Sequence, residues 1–531
     1  MKKNSFVGGT LIATLSIIVT KMMGLLYVIP FYKMVGVVGS SLYSYAYNIY
    51  AIFLDISTCG LPIAISKIVN EYNTLGKRND VYKTFYIGKR IMFFLSIVVF
   101  LLLFLIAPII AKVLVGGLEN GNSIKSVSWC IRCISFSLLI VPSLSVYKGY
   151  LQGHSNIEIS GISQIIEQVI RISVVLIGTY FVIKITENIQ LAVCVAVMGS
   201  FLGALGAFVF VRLKMGKVVS YDRKIDKNII KKIVLYAIPF IIINVSYSLY
   251  NFVDMTIILK TFNWLNYDVN DIEFISGSVT TWAPKINMIV TSVASGMSIS
   301  LIPSIVNLFT LNKTSDVSDR INQSLQMILF ISLPLIMVIN LMSDCVWSIF
   351  YGYDLIGGNI LKINIVLGLF VNLLIVLSSI LQGMNKFRLV YVSNIMGFIC
   401  NIVLDIPLIL LFNVLGYGYI GTIVASIVGY GLSVIICIKG LMRECNVCFS
   451  ETWLVLRKLL VPLLIIAFMT IGVRMIIDFD IHSRFNCLLL VGIDGICCGI
   501  IYIIICFKMG IVTKVLGSDI IKKLTFGKLR V

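Results

Sequence analysis

The sequence predicts an all-α, polytopic membrane fold, and three observations predict it. Of 531 residues, 59% are hydrophobic and only 13% charged, with a mean hydropathy of +1.01. Apolar runs of about twenty residues, the length that crosses a hydrocarbon core, recur from one end of the chain to the other. Lys and Arg crowd into alternate connections between those runs, which is the bias that orients helices in a bilayer.

Fourteen runs centre near residues 17, 55, 99, 136, 171, 201, 243, 292, 330, 370, 400, 428, 465 and 498. The first follows Lys2 and Lys3 and extends from about Ser5 to Ile29. It is too long for a signal-peptide core and has no small-residue cleavage site behind it, so it reads as the first span. The second and eighth runs carry Asp55 and Lys285, and the first external loop is expected over Pro30 to Leu42. With the amino terminus in the cytoplasm, inner connections and tails receive 31 Lys and Arg and outer segments 8. The remaining four, Lys21, Arg132, Arg171 and Lys285, fall inside spans. That asymmetry fits fourteen spans with both termini cytoplasmic. The formal net charge of +19 is therefore topological, and no basic and aromatic stripe suits a nucleic acid.

The chain repeats itself. LGKRNDV at 75–81 corresponds to LNKTSDV at 311–317, LQG at 151–153 to LQG at 381–383, and ISQ at 162–164 to VSN at 392–394. Each copy follows an even-numbered span of its half, so the halves keep one orientation, as in a parallel repeat about an axis normal to the membrane. This predicts two pseudo-symmetric six-helix lobes, 1–212 and 228–440, joined by a basic cytoplasmic linker at 213–227. Two additional helices and a cytoplasmic tail follow at 441–531.

Lobes so related place a substrate site between them, worked by alternating access. Intramembrane charges, at roughly 2.5–3.5 kcal/mol each on insertion scales, are the candidates for lining it. Lys21 and Lys285 suit an anionic headgroup, because an ammonium is a point-charge ligand for phosphate; Asp55 is placed beside them as a pairing carboxylate. A lysine snorkelling to the interface is the alternative for Lys21. Glu167 and Arg171, four apart on one helix face, read with Arg132 as a polar network stabilising a lobe. Asp254, Asn401 and Asp405 supply hard oxygens for Na⁺ or carry a proton, unless they are hydrogen-bonded groups at a helix break. Asp494 receives no role.

Thirteen cysteines raise a metal or redox question. Cys130-Ile-Arg-Cys133 and Cys445-Asn-Val-Cys448 are lone CxxC pairs, and the two histidines, His154 and His482, fall on opposite sides of the predicted membrane. A tetrahedral zinc site needs four ligands, so no metal beyond Na⁺ and no cofactor is expected. Walker, glycine-rich nucleotide and hydrolase-elbow motifs are missing as well.

Thr20 through Pro30 reads TKMMGLLYVIP, Gly60 through Lys67 reads GLPIAISK, and Lys148 through Gly153 reads KGYLQG, with SQ at 163–164 leading to Arg171. These stretches resemble the signatures S-K-x-x-G-x-x-Y-R-I-P, G-I-P-x-A-I-S-K and R-G-x-x-Q-G of one family. That family is the stage V sporulation protein B group of polysaccharide exporters, related to MurJ-type lipid II flippases. Val28 replaces the usual basic residue before Ile-Pro, and Leu54-Asp55 stands where the flippases carry a second one. What the resemblance implies for a diphosphate site therefore rests on Lys21 and Lys285.

The resemblance implies a flippase, not an enzyme, in the bacterial cytoplasmic membrane, moving an undecaprenyl-diphosphate-linked precursor, with lipid II the first candidate. Its expected partners are the lipid-linked oligosaccharide, the bilayer and the cell-wall synthesis machinery. Export of capsular or other polysaccharide units is the nearest alternative, and a cation-coupled drug antiporter the next. A membrane glycosyltransferase would need an acid in the first external loop, and Pro30 to Leu42 has none. A purely structural protein would have no reason to keep charges within its spans.

Overall fold

The computed structural model describes residue 16 and residues 19–58, 60–118, 121–154, 156–215, 226–292, 305, 309, 314–476 and 480–516. Every regular element among the described residues is helical, as expected where backbone groups find no water and must bond within the segment. Eleven helices among the described residues are long and apolar enough to cross a membrane, against fourteen predicted spans. The first predicted span lies mostly outside the described residues. The seventh is present as a 38-residue helix, Lys227–Trp264, and the eighth starts at Val269 and leaves the described residues after 292. The chain divides into two compact units, Met1–Thr281 and Trp282–Val531.

The first unit opens on a helical segment at 19–26, followed by α1, Val28–Thr58, which contains a non-helical glycine, Gly36, at φ 64° and ψ −166°. Sixteen residues of straight helix would set Tyr27 about 24 Å from Tyr43, yet their hydroxyls lie 3.2 Å apart. The chain therefore reverses at Gly36, a conformation open to a residue without Cβ. This corrects the external loop expected over Pro30–Leu42. Pro30 reads as a helix end, but it sits in the first turn of α1, where its missing N–H removes no intrahelical bond. A second glycine in the left-handed region, Gly60 (φ 86°), separates α1 from α2 (Leu61–Thr74), and Pro62 starts the new helix.

Then come α3 (Arg78–Val115), α4 (Ile124–Ser135), α5 (Ser137–Gly153) and α6 (Ile157–Ser173). A π turn at Val174–Gly178 carries α6 into α7 (Thr179–Thr186), followed by α8 (Ile189–Met215), α9 (Lys227–Trp264) and α10 (Val269–Gly277). Helix α5 crosses α2 at Gly149, where a Cβ would lie 2.7 Å from the Pro62 carbonyl oxygen and 2.8 Å from its Cα. Such small-residue contacts let helices approach where lipid supplies no hydrophobic drive between them. Leu61, Ile65, Ile68, Val81, Phe85, Tyr147, Ile229 and Ile233 form one buried cluster between α2, α3, α5 and the start of α9. Lys232 Nζ meets Glu71 Oε1 at 3.0 Å beside it, and that bond holds the Lys232 ammonium above the ordinary lysine range.

The second unit holds α11 (Thr314–Leu341), α12 (Ser343–Tyr351), α13 (Leu355–Gly383), α14 (Phe387–Val414), α15 (Gly421–Cys445), α16 (Ser450–Ile476), α17 (Arg484–Lys508) and α18 (Ile511–Leu516). Asp354 caps α13 through the Gly357 amide at 2.7 Å and Ser483 caps α17, each satisfying an otherwise orphaned donor. Asn322 ties α11 to the start of α16, donating to the Cys448 carbonyl at 2.7 Å and accepting from Thr452 at 2.6 Å.

The α2–α5 contact gives a stability test. Gly149→Ala should lower the thermal midpoint of the detergent-purified protein, at a cost of about 1–3 kcal/mol for overpacking. Gly472→Ala, where a Cβ meets nothing within 4 Å, should leave the midpoint unchanged or raise it. Equal midpoints for the two variants would remove the close approach at Pro62.

Candidate functional site

In the first unit, α8 presses on the backbone of α6. A Cβ on Gly203 would lie 2.5 Å from the Glu167 carbonyl oxygen and 3.2 Å from Arg171 Cβ. The close approach fixes the stretch of α6 that carries Glu167, Gln168 and Arg171. Glu167 pairs with Lys148 of α5 at 3.1 Å, with side chains 27% and 15% exposed. Arg171 donates to Gln168 Oε1, and Tyr47, Tyr27 and Tyr43 lie close enough to interact with its charge. Tyr43 and Tyr47 stack at 5.8 Å with 11° between their planes. Gly24 would place a Cβ 3.1 Å from Gln168 Nε2, so the helix bearing Lys21 lies along α6 beside this cluster, with Lys21 half-buried one turn earlier.

Asp55 of α1 accepts a hydrogen bond from Ser248 of α9. Arg132 lies elsewhere in the unit, donating to the Phe104 carbonyl at 3.3 Å and stacking over Phe104 and Trp129 at 5.2 and 5.6 Å. The structure thus keeps Glu167 and Arg171 in one cluster, gives Glu167 a lysine as its ion-pair partner, and sets Arg132 apart. A neutral seam runs beside them. Asn48 donates to Thr280 and Thr281, each at 3.1 Å, and to Ser44 at 3.3 Å, all buried. Farther along, the buried carboxylate of Glu273 accepts from the Asn122 amide nitrogen at 2.7 Å and from its side chain at 2.9 Å.

In the second unit, Lys285 Nζ sits 4.4 Å over the ring of buried Trp282, a cation–π contact. Tyr351 fixes that turn by donating to the Trp282 carbonyl at 2.9 Å. Asn401 donates to Asp405 at 3.3 Å and to Ser426 at 3.1 Å, both members of the pair fully buried. Asp254, also buried, belongs to the first unit. Among the described residues no group of three His, Cys, Asp or Glu side chains could hold a metal ion. Asp494 accepts from Thr470 at 2.9 Å. An apolar cavity of 520 Å³ opens between α11, α16 and α17, lined by Phe330, Pro334, Ile466, Val491, Gly495 and Tyr502 among others.

Sequence reasoning missed two participants. The tyrosine face of α1 was legible: Tyr43, Tyr47 and Tyr50 recur at helical spacing. Lys148 stands at the basic position of the KGYLQG stretch, but nothing there names its partner, because pairing with Glu167 requires α5 and α6 to lie side by side.

A family model described as polysaccharide biosynthesis protein matches residues 6–309, and one described as MatE matches 278–406. The chain is 29% identical to the lipid II flippase MurJ of Bacillus subtilis, over 96% of each protein. It is 28% identical to stage V sporulation protein B of the same organism, over 44% of this chain and 43% of that one. Among solved structures, a lipid II flippase MurJ in an inward closed conformation superposes with a TM-score of 0.65 at 15% identity, covering 95% of this chain and 99% of that one. An inward-facing multidrug resistance MATE family transporter of the MOP superfamily gives 0.66 at 13%, covering 82% and 98%. The fold is that of these transporters, and the chain is a multi-pass membrane protein.

The Lys148–Glu167 pair makes its own prediction. Lys148→Met and Glu167→Met should each lower the thermal midpoint, because each leaves one partly buried charge uncompensated. The double variant should recover most of the loss. Additive losses in the double variant would show that the two side chains act independently.

Proposed function

Because the chain belongs to the polysaccharide biosynthesis protein family, we propose that it is a flippase carrying an undecaprenyl-diphosphate-linked cell-wall precursor, lipid II, across the bacterial cytoplasmic membrane. The observation that carries this reading is the similarity to the B. subtilis lipid II flippase, which extends over 96% of both chains. The protein performs transport and no covalent chemistry. Export of other polysaccharide repeat units is the second reading, favoured by the description of the family model.

Lys21 and Lys285 are the proposed headgroup ligands, with Asp55 the proposed pairing carboxylate; both lysines lie half-buried in helical segments of the membrane fold. Asp254, Asn401 and Asp405 are the proposed cation-coupling residues, and Glu167 and Arg171 the cluster that steadies the first lobe, with Arg132 set apart from it over Phe104 and Trp129. The apolar cavity of the second unit suits the polyprenyl chain, since hydrocarbon forfeits no hydrogen bond there. The sequence repeat supports lobes at 1–212 and 228–440 around the 213–227 linker, alternating access between them, and two cytoplasmic termini. For a diphosphate of net charge −2, a potential of about 100 mV, inside negative, favours outward movement by roughly 4.6 kcal/mol.

Two tests follow from this reading. In a strain depleted of its lipid II flippase, the wild-type chain should restore growth, while Lys21→Ala and Lys285→Ala should each fail at normal membrane abundance. Arginine at either position should rescue better than glutamine, because the site requires charge. Glutamine variants as active as wild type would remove both lysines from the site. For topology, Asp268→Cys in a cysteine-free background should react with an impermeant thiol reagent in intact cells. Lys214→Cys should react only after the membrane is opened. Labelling of both from one side would mean an even number of crossings between them and undo the parallel repeat.

A further inference from the structure

Three thiols meet in the first unit, and the transport reading uses none of them. Cys130 and Cys133 lie on α4 and Cys194 on α8, two helices that pack together. Cys130 Sγ is 3.1 Å from Cys194 Sγ, and Cys133 stands one turn farther along the same helix. The sequence shows only a lone CxxC within a helix, because Cys194 arrives from 64 residues away. Cys130 is buried, whereas Cys133 and Cys194 are half-buried. Cys130 and Cys194 stand six and five residues past the starts of their helices at Ile124 and Ile189. That is roughly 8–9 Å in from the helix ends, a depth that small reagents entering from the interface can reach. A metal has no support here, since among the described residues no three such ligands fit one.

We propose that Cys130 and Cys194 are a redox-active dithiol that closes to a disulfide and staples α4 to α8, with Cys133 as the alternative partner of Cys194. A disulfide holds its sulfurs about 2.05 Å apart, so closure asks each side chain to move by roughly half an ångström. The oxidant is a small disulfide compound. The Cys194 thiol loses its proton and attacks one sulfur of that compound, whose S–S bond breaks and releases one thiol. The Cys130 thiol then loses its proton and attacks Cys194 Sγ, forming the protein disulfide and releasing the second thiol. Two cysteines are oxidised by two electrons in total, and the oxidant leaves as two thiols carrying the two protons. Accessibility sets the order, since half-buried Cys194 meets the reagent and buried Cys130 resolves the mixed disulfide. The bond lies wholly within one compact unit, so it stiffens that unit and leaves complementation intact.

The test uses the full-length protein in native membranes, treated with dipyridyl disulfide, blocked with N-ethylmaleimide, digested without reductant and read by mass spectrometry. A peptide pair joining Cys130 to Cys194 should appear and vanish with dithiothreitol. Cys130→Ser should divert the link to Cys133–Cys194, and Cys194→Ser or Cys194→Ala should abolish both. Oxidation should raise the thermal midpoint of the wild type and leave that of Cys194→Ser unchanged. Exposed Cys448 serves as an internal control for oxidant delivery. Modification of Cys448 with Cys130 and Cys194 both recovered as maleimide adducts would overturn the proposal.

Discussion

Arg171 has nowhere to put its charge except against its own chain. In the hydrocarbon region no water completes a hydrogen-bond shell, so each polar side chain carried into a span must find partners inside the protein. The guanidinium donates to Gln168 and has Tyr47, Tyr27 and Tyr43 around it, while its buried Nε has no hydrogen-bond partner. Much of the first unit's geometry serves that requirement. Reversal at Gly36 brings Tyr27 back alongside Tyr43, and Gly203 lets α8 press the backbone of α6 into place. Loss of either glycine would disturb the arginine's surroundings without touching the arginine.

The two units solve the same problem with different chemistry. In the first, ions are held by ions and phenols, as in Lys148–Glu167 and the tyrosine face of α1. In the second, side-chain amides dominate. Asn287 donates to the Asn364 carbonyl at 2.8 Å, Asn372 to the Val290 carbonyl and to Ser332, each at 3.0 Å, and Asn401 to Asp405 and Ser426. Amides join helices without the desolvation penalty of a charge, which leaves Lys285 over Trp282 as a conspicuous cation of that unit. Each of these asparagines directs its Nδ2 to a neighbouring helix and leaves its buried Oδ1 without a hydrogen-bond partner.

The helical class, and helices at most of the predicted spans, could be read from hydropathy alone, because a bilayer imposes length and composition on every crossing. The tyrosine stripe and the Glu167–Arg171 face were equally legible, since both are periodic within one helix. The Gly36 reversal was not: hydropathy continues through the turn, and only a backbone angle distinguishes a tight hairpin from a loop. Lys148 with Glu167, Ser248 with Asp55 and Cys194 with Cys130 were hidden for another reason. Each contact joins different helices, and periodicity along one helix says nothing about which face its neighbour presents.

Helices α3 and α9, at 38 residues each, are about 57 Å long, nearly twice the roughly 30 Å hydrocarbon thickness. The surplus must project into water. The buried cluster around Ile65, Phe85, Tyr147 and Ile233, with the Lys232–Glu71 pair at its edge, packs the ends of those helices that adjoin the basic segments. This part of the protein obeys aqueous thermodynamics. Its apolar contacts are driven by water release, weaken on cooling and respond to denaturant, whereas the lipid-embedded contacts have no such drive. The molecule is thus stabilised by two solvents at once, and chilling or mild urea should loosen the projecting shoulder while the intramembrane seams hold.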